Sequence, residues 1–446
     1  MEPLPKMPLL KLFSLLCFFL LSSSSSSSSS HPDLFESWLA RHDKRYSSEA
    51  EKLSRRRAFE DNLAFVTAHN SGGAGSGSYT LGLNAFADLT VAEFRSLRLG
   101  LSPALIGSRR GENRTLFRGS DAVSVPDKLD WREKGAVTHV KDQASCGACW
   151  AFSSTGAIEG INQIKTGSLV SLSEQELIDC DRTYNSGCNG GLMDYAYKWI
   201  IQNHGIDSED DYPYKARESN CLKNKLQNRA VTIDGYTDVL QNNEDALLQA
   251  VATQPVSVGI CGSERAFQLY SKGIFTGPCS TSLDHAVLIV GYSSQNGIDY
   301  WILKNSWGTG WGMDGYMHMQ RNSGSKHGIC GINMMASYPT KTSPNPPPSP
   351  GPGPAKCSLF AYCPAGSTCC CTRRIFGMCF SWSCCGLESA VCCKDHRYCC
   401  PHDYPVCDSS TKQCFKGIGN FTSVEGIERK SSLTNLGSWY PLLEAP

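Results

Sequence analysis

The sequence predicts a secreted α+β protein built from several domains, and three observations support this prediction. The 446 residues are 41% hydrophobic and 19% charged, which is typical of folded chains with substantial cores. Fourteen of the 23 cysteines lie between Cys357 and Cys414, a density typical of a disulfide scaffold made in an oxidising compartment. Helix-like and strand-like spacings both occur upstream of that segment. A cytosolic enzyme is therefore excluded.

Residues 1–30 have the order of segments that is typical of a signal peptide. Lys6 and Lys11 lead into an apolar run over 12–21, which is too short to cross a bilayer at about 20 residues. Serines 22–30 then supply small residues at which a signal peptidase could cut. We expect a soluble mature protein that has entered the secretory route.

Residues 31–124 are predicted to form helices, then a short strand, then a loop. One helical stripe is indicated by residues spaced three or four apart: Glu51, Arg55, Phe59, Asn62, Val66 and Asn70. A strand face is indicated by residues at every second position: Gly82, Asn84, Phe86 and Asp88. The segment 103–121 has the composition of an exposed loop, and Asn113 begins a glycosylation sequon.

The C-terminal quarter divides into a linker, a module and a tail. Seven of the eleven residues from Pro344 to Pro354 are proline, so 341–356 is predicted to be a stiff, extended linker. The cysteine-dense module 357–414 follows, and the polar tail 415–446 contains a second sequon at Asn420.

Residues 125–340 have an ordinary core-forming composition and contain the chemistry. Cys149 lies in the first turn of an amphipathic helix that Gly167 is placed to end. The helix dipole favours an anion there, which would lower the pKa of a thiol and supply a nucleophilic thiolate. Such a thiolate needs a proton carrier, for which His285 is a candidate, and an orienting group for the imidazole, for which Asn305 is a candidate.

Each of these signals is weak alone, since a single cysteine or histidine more often has a structural role. Together and in this order they resemble the papain-like cysteine proteases, around the segment Gln143 to Trp150. The helical stripe and the Gly82-to-Asp88 set match two motifs of cathepsin-L-like propeptides. The paired cysteines of 357–414 resemble a granulin domain, an arrangement similar to the plant granulin-containing proteases.

The resemblance implies a specific fold and domain organisation. A papain-like fold of two lobes, one helical and one β-barrel-like, would span 125–340. An α-helical inhibitory propeptide would span 31–124, and a small granulin domain would span 357–414. A third consecutive cysteine, Cys371, and a tyrosine at 398 depart from the usual granulin pattern and leave the disulfide pairing of that module open.

The resemblance also implies catalytic roles. Cys149 would attack the substrate carbonyl, and His285 would share an ion pair with it and then transfer protons. Asn305 would orient the imidazole under the cover of Trp307, and Gln143 would contribute a side-chain donor to the oxyanion hole.

The resemblance also implies which residues bind the substrate, because their positions match binding positions of the papain-like family. Two glycines would offer backbone to an extended peptide, Gly190 and Gly191. The pocket for the second residue before the cut would be formed by Leu192, Met193, Gly259, Leu283, Ala286 and Met335. None of these residues is charged, so an apolar residue is expected at that substrate position.

Disulfides are also implied by the resemblance: Cys146–Cys188, Cys180–Cys221 and Cys279–Cys330. With Cys149 as the nucleophile, Cys261 would then be left unpaired among the eight cysteines of 125–340. Metal binding is the competing interpretation of so many cysteines, but 125–340 has no structural zinc spacing and the compartment is oxidising. No metal and no cofactor is expected.

We therefore expect an endopeptidase made as a zymogen and activated at acidic pH, in a vacuole- or lysosome-like compartment or outside the cell. The propeptide carries a net charge of +2 and residues 125–340 carry −6, so carboxylates that pair across their interface would lose those pairs on protonation. Expected partners are protein and peptide substrates, the chain's own propeptide and cystatin-like inhibitors. With a net charge of zero, neither nucleic acid nor a membrane is expected as a partner, and the protein is expected to be a monomer.

Two other classes of function remain to be compared. A growth-factor-like binding module carried by a protease domain would be favoured if Cys149, His285 or Asn305 were missing. An inert disulfide-rich storage or wall protein would have no use for an inhibitory propeptide. For the granulin domain, a solubility or targeting appendage and a distinct signalling function are both compatible with the sequence.

Overall fold

Helices and strands divide the chain into a helical N-terminal region, a mixed middle region and a β-rich C-terminal module. The computed structural model describes residues 33–72, 77–102, 115–120, 124–346, 355–364, 366–387, 389–402, 404–417 and 423–432. The predicted signal peptide, both sequons and most of the proline run lie outside these residues. Within them, no helix combines the length and apolar composition that a bilayer crossing requires.

The described part of the propeptide region contains three helices and two strands: α1 (Leu34–Arg41), α2 (Glu49–Asn70), β1 (Tyr79–Leu81), α3 (Val91–Arg98) and β2 (Leu116–Phe117). Helix α2 begins after Ser48, whose side chain accepts from the backbone N–H of Glu51. Its buried face includes Phe59, Asn62 and Val66, so the helical stripe predicted from spacing is present.

The strand predicted over 82–88 is wrong. Strand β1 ends at Leu81, and the following residues form turns. The side chain of Asn84 accepts from the N–H of Phe86 at 3.0 Å, and the N–H of Ala87 donates to the carbonyl of Asn84 at 3.1 Å. An asparagine that bonds its own backbone two residues on favours a turn over an extended strand.

The middle region contains a helical part and a sheet. Its helices are α4 (Cys149–Thr166), α5 (Glu174–Cys180), α6 (Met193–Gln202), α7 (Glu244–Thr253) and α8 (Arg265–Gln268), with short 3₁₀ turns at Gly187–Asn189, Lys225–Gln227 and Ile329–Gly331. Helix α4 ends at Gly167, which has a left-handed φ of 77°, as its sequence predicted. Most of α4 is buried because it packs against both α6 and the sheet.

One ten-stranded sheet joins the propeptide to the middle region. Its strands are β1, β2 (Leu116–Phe117), β3 (Leu129–Asp130), β4 (Gly235–Val239), β5 (Val256–Ile260), β6 (Tyr270–Phe275), β7 (His285–Gln295), β8 (Ile298–Lys304), β9 (Tyr316–Gln320) and β10 (Ala336–Thr340). The order is β1-β6-β9-β8-β7-β5-β10-β4-β2, with β3 paired to β7. Strand β1 thus adds to the β6 edge, so the propeptide is held partly by sheet pairing.

The C-terminal module is a stack of short strands linked by disulfides. The strands are β11 (Ala355–Lys356), β12 (Tyr362–Cys363), β13 (Thr368–Ile375), β14 (Met378–Cys385), β15 (Val391–Cys392), β16 (Tyr398–Cys400), β17 (Val406–Asp408), β18 (Gln413–Phe415), β19 (Ser423–Glu425), β20 (Ile427–Glu428) and β21 (Lys430–Ser431). All fourteen cysteines of the module pair: 357–369, 363–384, 370–392, 371–379, 385–399, 393–407 and 400–414. Cys371 therefore bonds within the β13–β14 hairpin, which the sequence had left open.

Candidate active site

Cys149 is the first residue of α4 and lies at the junction of the helical part and the sheet. No side chain caps this helix terminus, since Ala148 occupies the N-cap position. The loop before it is braced by the disulfide Cys146–Cys188. Backbone N–H groups of Ala286 and Gly100 face the sulfur of Cys149, which places the start of β7 beside the thiol.

His285 and Asn305 meet because they lie on neighbouring antiparallel strands. His285 is the first residue of β7, and Asn305 directly follows β8. Nε2 of His285 donates to Oδ1 of Asn305 at 2.8 Å, and Nδ1 has no hydrogen-bond partner among the described residues. The indole of Trp307 stacks on the imidazole with a centroid separation of 4.5 Å. The amide and the indole together fix the orientation of the ring and exclude water from it.

Gln143 directs its side-chain amide at the loop that precedes Cys149 and at the end of α3. Its Nε2 donates to the carbonyl of Arg98 at 3.0 Å and to that of Cys146 at 2.8 Å. Its Oε1 accepts from the hydroxyl of Ser306 at 2.6 Å, which fixes the direction of the amide. A donor held in this way can stabilise an oxygen anion, and in this structure a propeptide carbonyl occupies it.

The propeptide runs directly across this site after α3. The N–H of Gly191 donates to the carbonyl of Gly100 at 2.9 Å, and the N–H of Ser102 donates back to Gly191 at 3.2 Å. The N–H of Leu101 donates to the carbonyl of Asp284 at 3.1 Å. We call residues 98–102 the blocking segment, because they lie where an extended substrate would have to bind.

The predicted specificity pocket contains a propeptide side chain. A Cβ added to Gly259 would meet Met335 at 2.8 Å, Leu101 at 3.0 Å and Leu283 at 3.5 Å, so the Leu101 side chain reaches the space above Gly259. The other predicted lining residues are buried in the same apolar cluster: Leu192, Met193 and Ala286. The space is thus lined by apolar residues and holds the side chain of Leu101.

The blocking segment changes the electrostatics expected from the helix terminus. Burial raises the pKa of the Cys149 thiol to about 12 and lowers the pKa of His285 to about 4. The sequence suggested a thiolate favoured by the helix dipole, but here desolvation of both groups outweighs that effect. The covered pair is therefore a neutral thiol and a neutral imidazole.

Among the residues that the structure describes, two ion pairs join the propeptide to the middle region. Arg98 contacts Asp142 at 3.2 Å, and Asp61 of α2 contacts Arg265 at 2.6 Å. The net charges of +2 and −6 suggested carboxylate pairs across this interface, but Asp88 forms no ion pair with the middle region among the described residues. It contacts Lys44 at 3.2 Å within the propeptide, so it stabilises the inhibitor's own fold.

The disulfides 146–188, 180–221 and 279–330 are present, and Cys149 and Cys261 are the free cysteines among the described residues. Cys261 is buried, and its sulfur lies 3.5 Å from the hydroxyl of Ser263. Burial raises the pKa of this thiol, so it is a poor nucleophile at neutral pH.

Sequence reasoning missed the blocking segment and a buried charged cluster behind the site. Lys141 contacts Glu174 at 2.8 Å and Glu159 at 3.3 Å, and Lys304, which precedes Asn305, donates to Thr138 at 2.9 Å. The four charged residues of this cluster are far apart in sequence, so no local spacing reveals it. The sequence did contain a signal for the blocking segment, because Gly100 lies between two leucines directly after the helix α3.

Comparisons with known proteins agree with this geometry. The model of the papain family cysteine protease matches residues 125–340, that of the cathepsin propeptide inhibitor domain matches 35–94, and that of granulin matches 363–415. The probable cysteine protease RD21B of Arabidopsis thaliana is 49% identical over 410 residues, covering 90% of this chain and 87% of its own.

Solved proforms share the arrangement. A recombinant stem bromelain precursor is 41% identical with a TM-score of 0.64 and covers 70% of this chain and 98% of its own. The Amb a 11 cysteine protease of ragweed pollen, in its proform, is 40% identical with a TM-score of 0.63 and covers 70% of this chain and 94% of its own.

The fold and the covered cysteine site define a cysteine endopeptidase in its zymogen form. The chain belongs to the papain family of cysteine proteases, with an inhibitory propeptide and a C-terminal granulin domain, and it is similar to plant cysteine proteases of the RD21 type. The predicted family, fold class and enzyme class are thereby confirmed.

Proposed function

We propose that Cys149, His285 and Asn305 carry out peptide hydrolysis after the blocking segment leaves. The observation that carries this proposal is the contact between His285 and Asn305 directly beside the start of α4. Once water and substrate replace the propeptide, the desolvation that keeps the pair neutral is relieved. The proton of the thiol then moves to Nδ1 of His285, and the helix terminus stabilises the resulting thiolate.

The chemical steps follow from this placement. The thiolate of Cys149 attacks the scissile carbonyl, and the oxygen anion that forms is stabilised by Nε2 of Gln143 and the N–H of Cys149. His285 gives its proton to the departing amine and leaves a thioester. It then takes a proton from water, which attacks the thioester and releases the free thiol and the acid. Asn305 holds the imidazole in the tautomer and orientation that both transfers require.

This proposal is tested by incubating the purified chain at pH 5 with a reductant and a fluorogenic dipeptide. Hydrolysis that a thiol-directed epoxide abolishes is the expected result. Hydrolysis that persists in the presence of the epoxide would show that another group performs the reaction.

The apolar pocket leads to a prediction about specificity. Leu, Val or Phe at the second position before the cut should give a higher kcat/KM than Arg. Leu101 already occupies this space, and no carboxylate lies among the pocket residues to pair with a buried guanidinium. Matched fluorogenic dipeptides that differ only at this position measure the ratio. A higher kcat/KM for the arginine substrate would contradict the pocket assignment.

We further propose that acid releases the propeptide through its interface carboxylates. Asp142 and Asp61 pair with arginines across the interface, and each pair requires a charged carboxylate. Acid that protonates these carboxylates would remove the pairs and weaken the complex. The Cys149–His285 pair binds the same number of protons as thiol and imidazole in the covered site as it does as thiolate and imidazolium in the open site. It therefore contributes little to the pH dependence of propeptide binding.

A separately expressed propeptide should therefore inhibit the mature enzyme in the nanomolar range at pH 7 and much less at pH 4. Asp61→Asn in the propeptide should weaken inhibition at pH 7 by a few-fold, because one partly exposed ion pair is lost. Asp43→Asn is the matched control, since within the described part of the chain Asp43 forms an ion pair with its neighbour Arg45 and none with the middle region. Equal inhibition at both pH values would refute the acid switch.

Location and other partners are part of the same proposal. An acid-released propeptide suits an acidic vacuole- or lysosome-like compartment, or secretion into an acidic exterior. Glycosylation at Asn113 and Asn420, inhibition by cystatin-like proteins and a monomeric state accord with a secreted papain-family enzyme and are proposed on that resemblance.

A further inference from the structure

The granulin hairpin formed by β13 and β14 exposes an apolar tip. Phe376 is 98% exposed, Met378 63% and Phe380 60%, and Ile375 beside the turn is also exposed. We call these four residues the hairpin tip. Large apolar side chains gathered on one exposed turn indicate a contact with something outside the chain.

The turn itself is unfavourable for the residue that occupies it. Ile375 pairs with Met378, so Phe376 and Gly377 form a two-residue turn, and their φ angles are 46° and 82°. Turns with two positive φ values favour Asn-Gly or Asp-Gly, whereas a bulky side chain there is an outlier. Because Phe376 is neither suited to the turn nor buried, folding alone does not explain it, and a role in binding does.

The hairpin is also rigid before any partner arrives. Cys371 of β13 and Cys379 of β14 form a disulfide with a sequence separation of 8, which closes a small ring around the turn. A tip fixed in this way loses little conformational entropy on binding. The third consecutive cysteine, which departs from the usual granulin pattern, thus has a structural consequence at the hairpin tip.

The positive charges beside the tip are not balanced by nearby acidic residues in the sequence. Arg373 and Arg374 are exposed beside it and form no ion pair within the described part of the chain. Between residues 355 and 387 the sequence contains Lys356 and these two arginines but no aspartate or glutamate. The tip is therefore an apolar point with basic residues behind it.

We propose that the hairpin tip inserts into the surface of an anionic lipid membrane. The side chains lie on a convex turn and not in a groove, which suits a fluid layer better than a shaped protein pocket. Apolar and aromatic residues would enter the interfacial region while the arginines contact lipid phosphates. The zero net charge of the whole chain argued against a membrane partner, but that sum conceals this local separation of charge.

Vesicle sedimentation of the full chain tests the proposal, with Cys149→Ala in every sample to prevent self-cleavage. The chain should bind vesicles that contain phosphatidylserine and bind pure phosphatidylcholine vesicles much less. Phe376→Asn should lower the partition coefficient about tenfold, because one large apolar side chain no longer inserts. The variant should fold well, since Asn-Gly suits this turn. Changing both arginines to glutamine should reduce binding to the level of neutral vesicles.

Phe360→Asn is the matched control. Phe360 is 77% exposed and belongs to the same module, but it lies in the loop between β11 and β12. Its substitution should leave binding unchanged. Failure of the parent chain to bind the anionic vesicles, or an equal loss in both phenylalanine variants, would overturn the proposal. So would self-association without lipid that Phe376→Asn abolishes, because the tip would then bind a second copy.

Discussion

Replacement of Cys149 by alanine is expected to abolish peptide hydrolysis, with a fall in kcat of more than about 10⁴-fold. The nucleophilic sulfur is lost, and no other group near the site can form the thioester. The fold should survive because the substitution removes one atom at a helix terminus whose surroundings are fixed by the disulfide Cys146–Cys188. Initial rates with a fluorogenic peptide and a thermal unfolding curve measure the two properties together.

Cys261→Ala is the matched control for this experiment. Cys261 is the second free and buried cysteine, and it has no hydrogen bond to His285 or Asn305 among the described residues. Its replacement should leave kcat within about twofold of the parent, since no step of the mechanism uses this thiol. Inhibitor-sensitive hydrolysis that persists in Cys149→Ala and disappears in Cys261→Ala would contradict the assignment of the nucleophile.

Replacement of Gly100 by alanine should release the enzyme from its propeptide. A Cβ at this position would lie 1.9 Å from the carbonyl oxygen of Gly147, a backbone atom that cannot move aside like a flexible side chain. The blocking segment would have to shift and lose its bonds to Gly191, Asp284 and Gln143. Several hydrogen bonds lost together correspond to a rise of about 100-fold in the inhibition constant of the propeptide.

Inhibition of the mature enzyme by separately expressed propeptide variants at pH 7 measures this effect. Gly77→Ala is the control, because a Cβ at Gly77 would meet nothing within 4 Å and that glycine has no left-handed φ. It should inhibit like the parent propeptide. In the full chain, Gly100→Ala should accelerate self-activation at neutral pH. An unchanged inhibition constant for Gly100→Ala would show that the close approach to Gly147 does not hold the propeptide in place.

The sequence predicted the residues of the site better than their state. Cys149, His285 and Asn305 were proposed because the reaction requires these residue types and because their order resembles a known family, and the structure places His285 against Asn305. Their pKa shifts in the zymogen could not be predicted, since they depend on burial by a segment whose position is a tertiary property. The hydrogen bond from the amide of Gln143 to the carbonyl of Arg98 could not be predicted either, because it depends on the position of the same segment.

Two other differences between the structure expected from the sequence and the observed structure have identifiable causes. The period-two pattern from Gly82 to Asp88 indicated a strand, but the side chain of Asn84 bonds to local backbone and forms a turn, which periodicity does not detect. The pairing of fourteen cysteines could not be deduced from their order, because adjacent cysteines such as Cys370 and Cys371 have different partners, Cys392 and Cys379. The helix Glu49–Asn70 was predictable because its spacing is long and regular.

The central claim is that one thiol, Cys149, performs the chemistry and that the propeptide covers it until acid releases it. Peptide mapping by mass spectrometry after treatment with a thiol-directed epoxide tests this claim most directly. The full chain should remain unlabelled at pH 7, because the blocking segment buries the thiol, and should carry one adduct on Cys149 after incubation at pH 5. An adduct on Cys261, or equal labelling of Cys149 in the intact zymogen at pH 7, would contradict it.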